Sequence, residues 1–150
     1  MTTATGYVLA NEKIDAGFVL PVLGIFLLAC GSSVLNHIQE RKTDAIMERT
    51  RNRPLVTGEV SIRLAVLLSF IYISSGVFLI YIGSGIISTL LGILALIWYN
   101  AIYTPLKRIT PHAVIPGSVI GSIPPLVGWV VGGADLFNYK ALVLAFFFYV

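Results

Sequence analysis

The chain alternates long apolar runs with short polar breaks. Four runs, at about 16–36, 64–82, 86–103 and 113–131, approach or reach the ~20 residues a helix needs to cross hydrocarbon. Two further stretches are incomplete: Met1 to Ala10 is an apolar stub, and Ala141 to Val150 stops inside a hydrophobic run. The pattern predicts an all-α protein, a polytopic transmembrane helix bundle with four complete spans and truncated spans at both ends. A chain end in hydrocarbon leaves backbone groups without water. Residues 1–150 are therefore expected to be one partial domain, a fragment cut at both ends. Gly83-Ser84-Gly85 reads as a tight reversal between the second and third spans. Pro21 and the pair Pro124-Pro125 lie within spans and are expected to kink or open them. Gly117 with Gly121, and Gly128 with Gly132, have the four-residue spacing that lets membrane helices approach closely.

Composition agrees. Hydrophobic residues make up 57% and charged residues 11%, against roughly 45–50% and 25% in soluble domains. The formal charge is +3, but the cations are not spread over a soluble face, which argues against nucleic acid as a partner. Eight of the ten Lys and Arg residues fall in two places, 41–63 and Lys107-Arg108. Counting crossings puts both on one side, and the positive-inside rule makes that side cytoplasmic. The expected location is therefore the bilayer of the cell (inner) membrane, with these loops facing the cytoplasm. Cys30 is a lone cysteine in an apolar helix, read as packing.

Charge redirects attention to the end of the first span. Asn36, Glu40 and Asp44 fall at i, i+4 and i+8, so an amide and two carboxylates share one helix face. Arg41, Lys42, Arg49, Arg51 and Arg53 follow. Magnesium is typically held by one or two carboxylates plus phosphate oxygens, and guanidinium forks suit a diphosphate. The residues thus fit a Mg2+–diphosphate at the membrane surface, with Asn36, Glu40 and Asp44 as catalytic metal ligands and Arg49 and Arg53 on the phosphates. The same stripe would also fit a helix end fraying into water, with acids balancing arginines. Depth favours the ligand reading, because Asn36 directly follows Leu35 and a polar group there is costly unless used.

The second basic loop, Tyr99 to Arg108, adds Tyr103 and Lys107, four residues apart, with Pro105 expected to break a regular helix between them. Lys107 can reach a diphosphate in a shared mouth, and Tyr103 can bond to it or wall an allylic carbon. Asn100 is expected to face the cavity. His37 and His112 read as interface histidines.

The order Asn36-xxx-Glu40-xxx-Asp44, continued by Met47-Glu48-Arg49-Thr50-Arg51-Asn52-Arg53-Pro54-Leu55, resembles the first aspartate-rich motif of the UbiA family of intramembrane prenyltransferases. The pair Tyr103-xxx-Lys107 resembles that family's tyrosine–lysine motif. The stretch Tyr103 to Trp129 is similar to the members that prenylate heme rather than a quinone precursor. This resemblance implies a farnesyl diphosphate donor, heme B as acceptor and magnesium as cofactor. It covers all 150 residues but about half of the family's usual nine-helix domain, and the chain ends before the family's second aspartate-rich motif. Glu40 stands where the family usually has aspartate. Three other readings stay open: an acceptor that is an aromatic acid or quinone precursor, an inactive homologue, and a cation-binding membrane subunit.

Overall fold

The computed structural model describes residues 2–12 and 15–149. Met1 and Val150, the outer ends of the two incomplete apolar stretches, lie outside the described residues. Seven α-helices follow one another in the described residues: α1 (Thr2–Asn11), α2 (Val19–Asp44), α3 (Pro54–Thr57), α4 (Ile62–Ile97), α5 (Thr104–Leu106), α6 (Val114–Val131) and α7 (Tyr139–Tyr149). There is no strand among the described residues.

Among the described residues, three helical stretches are long and apolar enough to cross a membrane: Ala16–Asp44, Ile62–Leu106 and Pro111–Val131. The middle one has 45 residues and would be about 67 Å long if straight, over twice a hydrocarbon core. It reverses instead. Gly85 has φ 77° and ψ −167°, a conformation open to glycine and strained for other residues. A Cβ added to Gly92 would lie 3.2 Å from the Ile80 side chain, whereas twelve residues of straight helix would separate the two by about 18 Å. Ser84 Oγ and Thr89 Oγ1 donate to the carbonyls of Ile80 and Gly85 at 2.9 and 2.8 Å, pairing backbone acceptors around the reversal. α4 is therefore a hairpin with arms at 62–84 and 86–97. With the second arm carried on through residues 98–106, the described residues hold four helical runs of about spanning length, as the hydrophobic pattern predicts.

Glycines set how closely the helices pack. A Cβ on Gly24 would come within 2.8 Å of the Gly76 carbonyl, and one on Gly76 within 2.7 Å of the Gly24 carbonyl. α2 and the first arm thus run antiparallel with their backbones nearly touching. On α6, Gly128 packs against the Thr3 backbone, Gly132 against Ala10 and Gly121 against the Phe148 carbonyl. The small-residue pairs are helix contacts, as their spacing implies. Trp129, Ala141 and Leu144 form a buried apolar cluster between α6 and α7. Phe26, Phe70 and Phe78 point outward at 62%, 68% and 61% exposure, which suits a surface bathed in lipid.

The prolines leave their helices unbroken. Pro21 lies in the first turn of α2, where a missing N–H breaks no helical bond. α6 stays helical through Pro124-Pro125. Pro105 does not end its helix either. The chain passes from α4 into a π-helix, Trp98–Tyr103, and then into α5. Thr104 N–H bonds to Tyr99 O, five residues back, and that widened turn lets the helix continue to Leu106. α2 itself runs two turns past the span boundary at 36, to Asp44, as the shared helix face of Asn36, Glu40 and Asp44 requires, with Arg41 and Lys42 in its last turn, where cations suit the helix dipole.

Candidate active site

The polar end of the bundle is built by two segments that run parallel, α2 and the extension of the second arm through the π-helix and α5. α2 offers Ser32, Asn36 and Glu40 at four-residue spacing, and the other segment offers Asn100, Thr104 and Lys107. They meet as a ladder. Asn100 Nδ2 donates to Ser32 Oγ at 2.6 Å, and Thr104 Oγ1 to Asn36 Oδ1 at 2.9 Å. Lys107 Nζ lies 3.3 Å from Asn36 Oδ1 and 3.1 Å from Glu40 Oε1. Asn36 Nδ2 donates to Glu40 Oε2 at 2.7 Å, so the amide is satisfied on both sides. Arg108 Nε stands 3.8 Å from Glu40 Oε1. The lower rungs are buried at Ser32, Asn36, Asn100 and Thr104, where polar groups must pair with one another.

One turn beyond Glu40 the helix ends on Asp44, whose side chain is 5% exposed and pairs with Arg53 Nη1 at 2.6 Å. Thr50 Oγ1 donates to the Asp44 carbonyl at 3.1 Å. That bond folds the 45–53 segment back on the helix end, and Pro54 then starts α3 at the position where proline is favoured. Glu40, Asp44, Lys107, Arg108 and Arg53 thus gather at one end, with one cation in excess. An anion of more than one charge would be drawn there.

The sequence-derived residues are not all equivalent. Asn36, Glu40, Tyr103 and Lys107 converge: Lys107 Nζ lies 5.3 Å from the Tyr103 ring centre and 5.9 Å from that of Tyr99, within cation–π range. Asp44 and Arg53 form their own pair next to this group. Arg49 is exposed and in no ion pair among the described residues. Asn100 is buried on the Ser32 rung, with its Oδ1 unpartnered, and it reaches the cavity only through Ser32. Sequence reasoning missed Ser32, Thr104 and the contact of Arg108. Extending the stripe one turn below Asn36 would have found Ser32. Thr104 had no signal of its own beyond lying between two singled-out positions.

Below the ladder lies an apolar cavity of about 220 Å³, lined by residues that include Leu28, Ser32, Gly92, Leu96, Tyr99 and Ile123. Ser32 and Tyr99 belong to both the cavity wall and the polar end, so greasy volume and charged mouth adjoin. As a metal centre the donor set fits in one way only. Among the described residues no three His, Cys, Asp or Glu side chains cluster tightly enough to cage an ion. Glu40 and Asp44 are hard oxygen donors already facing cations, which suits a divalent ion that arrives with phosphate oxygens to complete its shell.

Among known proteins, the chain is 38% identical over 149 residues to the protoheme IX farnesyltransferase of Geobacter sulfurreducens, covering 99% of this chain and 55% of that one. It is 35% identical to the protoheme IX farnesyltransferase of Oleidesulfovibrio alaskensis, covering 96% and 51%. It is 37% identical to the human mitochondrial protoheme IX farnesyltransferase, covering 90% and 31%. The chain spans about half the length of the first of these relatives. No solved structure matches it. The model of the UbiA prenyltransferase family matches residues 1–150. With long apolar helices ending on an acidic and basic mouth, and a family match over its whole length, the chain is an integral membrane protein that belongs to the UbiA prenyltransferase family.

Proposed function

We propose that this chain supplies the first acidic motif and the tyrosine–lysine motif of a prenyltransferase that moves a farnesyl group from farnesyl diphosphate to a vinyl group of heme B, giving heme O. The observation that carries the reading is the junction of an apolar cavity with a mouth holding Glu40, Asp44, Lys107 and Arg53. A substrate with a polyanionic head and a hydrocarbon tail needs both, in that order. Heme as acceptor rests on the relatives' names and on the Tyr103 to Trp129 stretch. Residues 1–150 are proposed to be a partial domain, inactive alone.

Glu40 and Asp44, with Asn36 one turn deeper, would hold a divalent ion, proposed to be magnesium, which when bound neutralises charge on the departing diphosphate. Lys107 and Arg53 now neutralise the carboxylates and would turn their donors to phosphate oxygens, and Arg49 would reach the outer phosphate from the loop. Each donates N–H bonds to charge that grows as the allylic carbon–oxygen bond breaks. Tyr99, which lines the cavity, and Tyr103 beside it both lie within reach of Lys107, and their faces would flank a developing allylic cation while the apolar walls exclude water until the new bond forms. The vinyl group of heme B attacks that carbon. Water then adds to the resulting cation next to the ring and loses a proton, leaving a hydroxyethylfarnesyl substituent and free diphosphate. By the positive-inside rule the mouth would face the cytoplasm from the inner membrane.

The test is to supply the full-length protein in membranes with farnesyl diphosphate, magnesium and heme B and look for heme O by mass spectrometry. Prenylation of an aromatic acid instead of heme would replace the acceptor. No prenylated product with either would identify an inactive homologue.

A further inference from the structure

Pro105 leaves a gap in the backbone hydrogen bonding beside the polar ladder. In the π-helical turn, Thr104 N–H bonds to Tyr99 O. The next bond of that register would run from residue 105 to Asn100 O, and proline has no N–H to give. Asn100 is buried, where an unpaired carbonyl is costly. The missing donor comes from α2: Gln39 Nε2 donates to Asn100 O at 3.1 Å. Arg108 Nη2 ties the same residue from the other side, donating to Gln39 O at 2.8 Å. The two bonds bracket Thr104 and Lys107 in the chain.

We infer that Gln39 is a positioning residue: by standing in for the N–H that Pro105 lacks, it fixes the end of the second arm so that Lys107 faces Asn36 and Glu40. Gln39 acts through the backbone of residues 100–108. The inference rests on Lys107 being a diphosphate contact, as proposed above. Position 39 needs a side chain that both reaches Asn100 O and carries a donor, so the chemistry of the substitution decides the outcome.

The experiment measures the Kd of farnesyl thiolodiphosphate, with magnesium, for the full-length protein in detergent. Gln39→Met keeps the length and removes the donor, and should weaken binding about fivefold to tenfold. In a Lys107→Ala background the same change should add less than about twofold, because its route is already gone. Adding Pro105→Ala to Gln39→Met returns a backbone N–H and should recover most of the affinity. Gln39→Lys keeps a donor and should bind within about twofold of the parent. Unchanged binding by Gln39→Met, losses that multiply with Lys107→Ala, or a Gln39→Lys variant as weak as Gln39→Met would each overturn the inference. A parent protein that does not bind the analogue would overturn the diphosphate reading, and Gln39's role with it.

Discussion

α2 meets the two arms of the α4 hairpin by different means. Against the antiparallel first arm it presents Gly24 and Gly31, and the contact is backbone on backbone, with Gly24 and Gly76 each closing on the other's carbonyl. Against the parallel second arm it presents Ser32, Asn36 and Glu40, and the contact is a ladder of hydrogen bonds ending on Lys107. The glycine seam is indifferent to charge and intolerant of shape, so it can only hold a frame. The ladder's last rung is the opposite. Lys107 divides its ammonium among Asn36, Glu40 and two tyrosine faces, and a cation shared so widely gives up any one partner at modest cost. A rigid seam on one side of α2 thus supports an exchangeable set of charges on the other.

The largest effect should come from breaking the seam. Gly76→Leu drives a side chain into the Gly24 carbonyl and Leu28 N, at 2.7 and 2.8 Å from the first added carbon. Neither neighbour is a flexible side chain, so the arms must separate, at a cost of about 3 kcal/mol or more. The full-length variant should fail to accumulate in membranes. Phe78→Ala, two residues away and facing outward, should accumulate normally. Immunoblots of membrane fractions compare them, and normal levels of Gly76→Leu would remove the seam from the account.

Next in size is Asp44 on the exchangeable side. It is buried against Arg53 and sits at the mouth, whereas Lys42 is exposed. Asp44→Ala should lower heme O formation by at least about a hundredfold, while Lys42→Ala stays near the parent. Equal activity in the two would take the metal hypothesis off this helix. Glu40 comes third: Glu40→Gln keeps an oxygen but loses the anion and should cost about tenfold in turnover, with a raised magnesium requirement. Glu40→Asp keeps the charge and should retain most activity. A Gln variant with an unchanged magnesium titration would move Glu40 off the metal.

The same contrast explains what could be read beforehand. The spans, the reversal at Gly85 and the glycine contacts follow from hydropathy, a flexible residue and small-residue spacing, which are local properties. The stripe Asn36, Glu40, Asp44 is local too, because helical periodicity alone aligns it. Thr104 was invisible because its role depends on a partner 68 positions away. Pro105 misled because local rules treat it as a helix breaker. A π-turn and a donor from a different helix are tertiary answers to a local defect. Polarity within a span points Asn100 towards the cavity, but Ser32, on another helix, takes it sideways into the ladder.

The smallest expected effect separates the two loop arginines. Arg53 is partly buried on Asp44, so Arg53→Ala leaves a buried carboxylate unpaired as well as removing a proposed phosphate donor, and should raise the KM for farnesyl diphosphate about tenfold or more. Arg49 is exposed and in no ion pair among the described residues, and on the proposed reading it would approach only the outer phosphate. Exposed ion pairs contribute roughly 0–1 kcal/mol, so Arg49→Ala should raise KM by no more than about fivefold. Salt sharpens the difference. Raising ionic strength to about 1 M shortens the screening length to roughly 3 Å, which should erase most of the Arg49 effect while leaving that of Arg53 largely intact. KM measured at low and high salt for both variants makes the comparison. A large, salt-resistant loss on Arg49→Ala would mean that the 45–53 segment swings this side chain into the mouth when substrate binds, and that the exposed position is only its resting place.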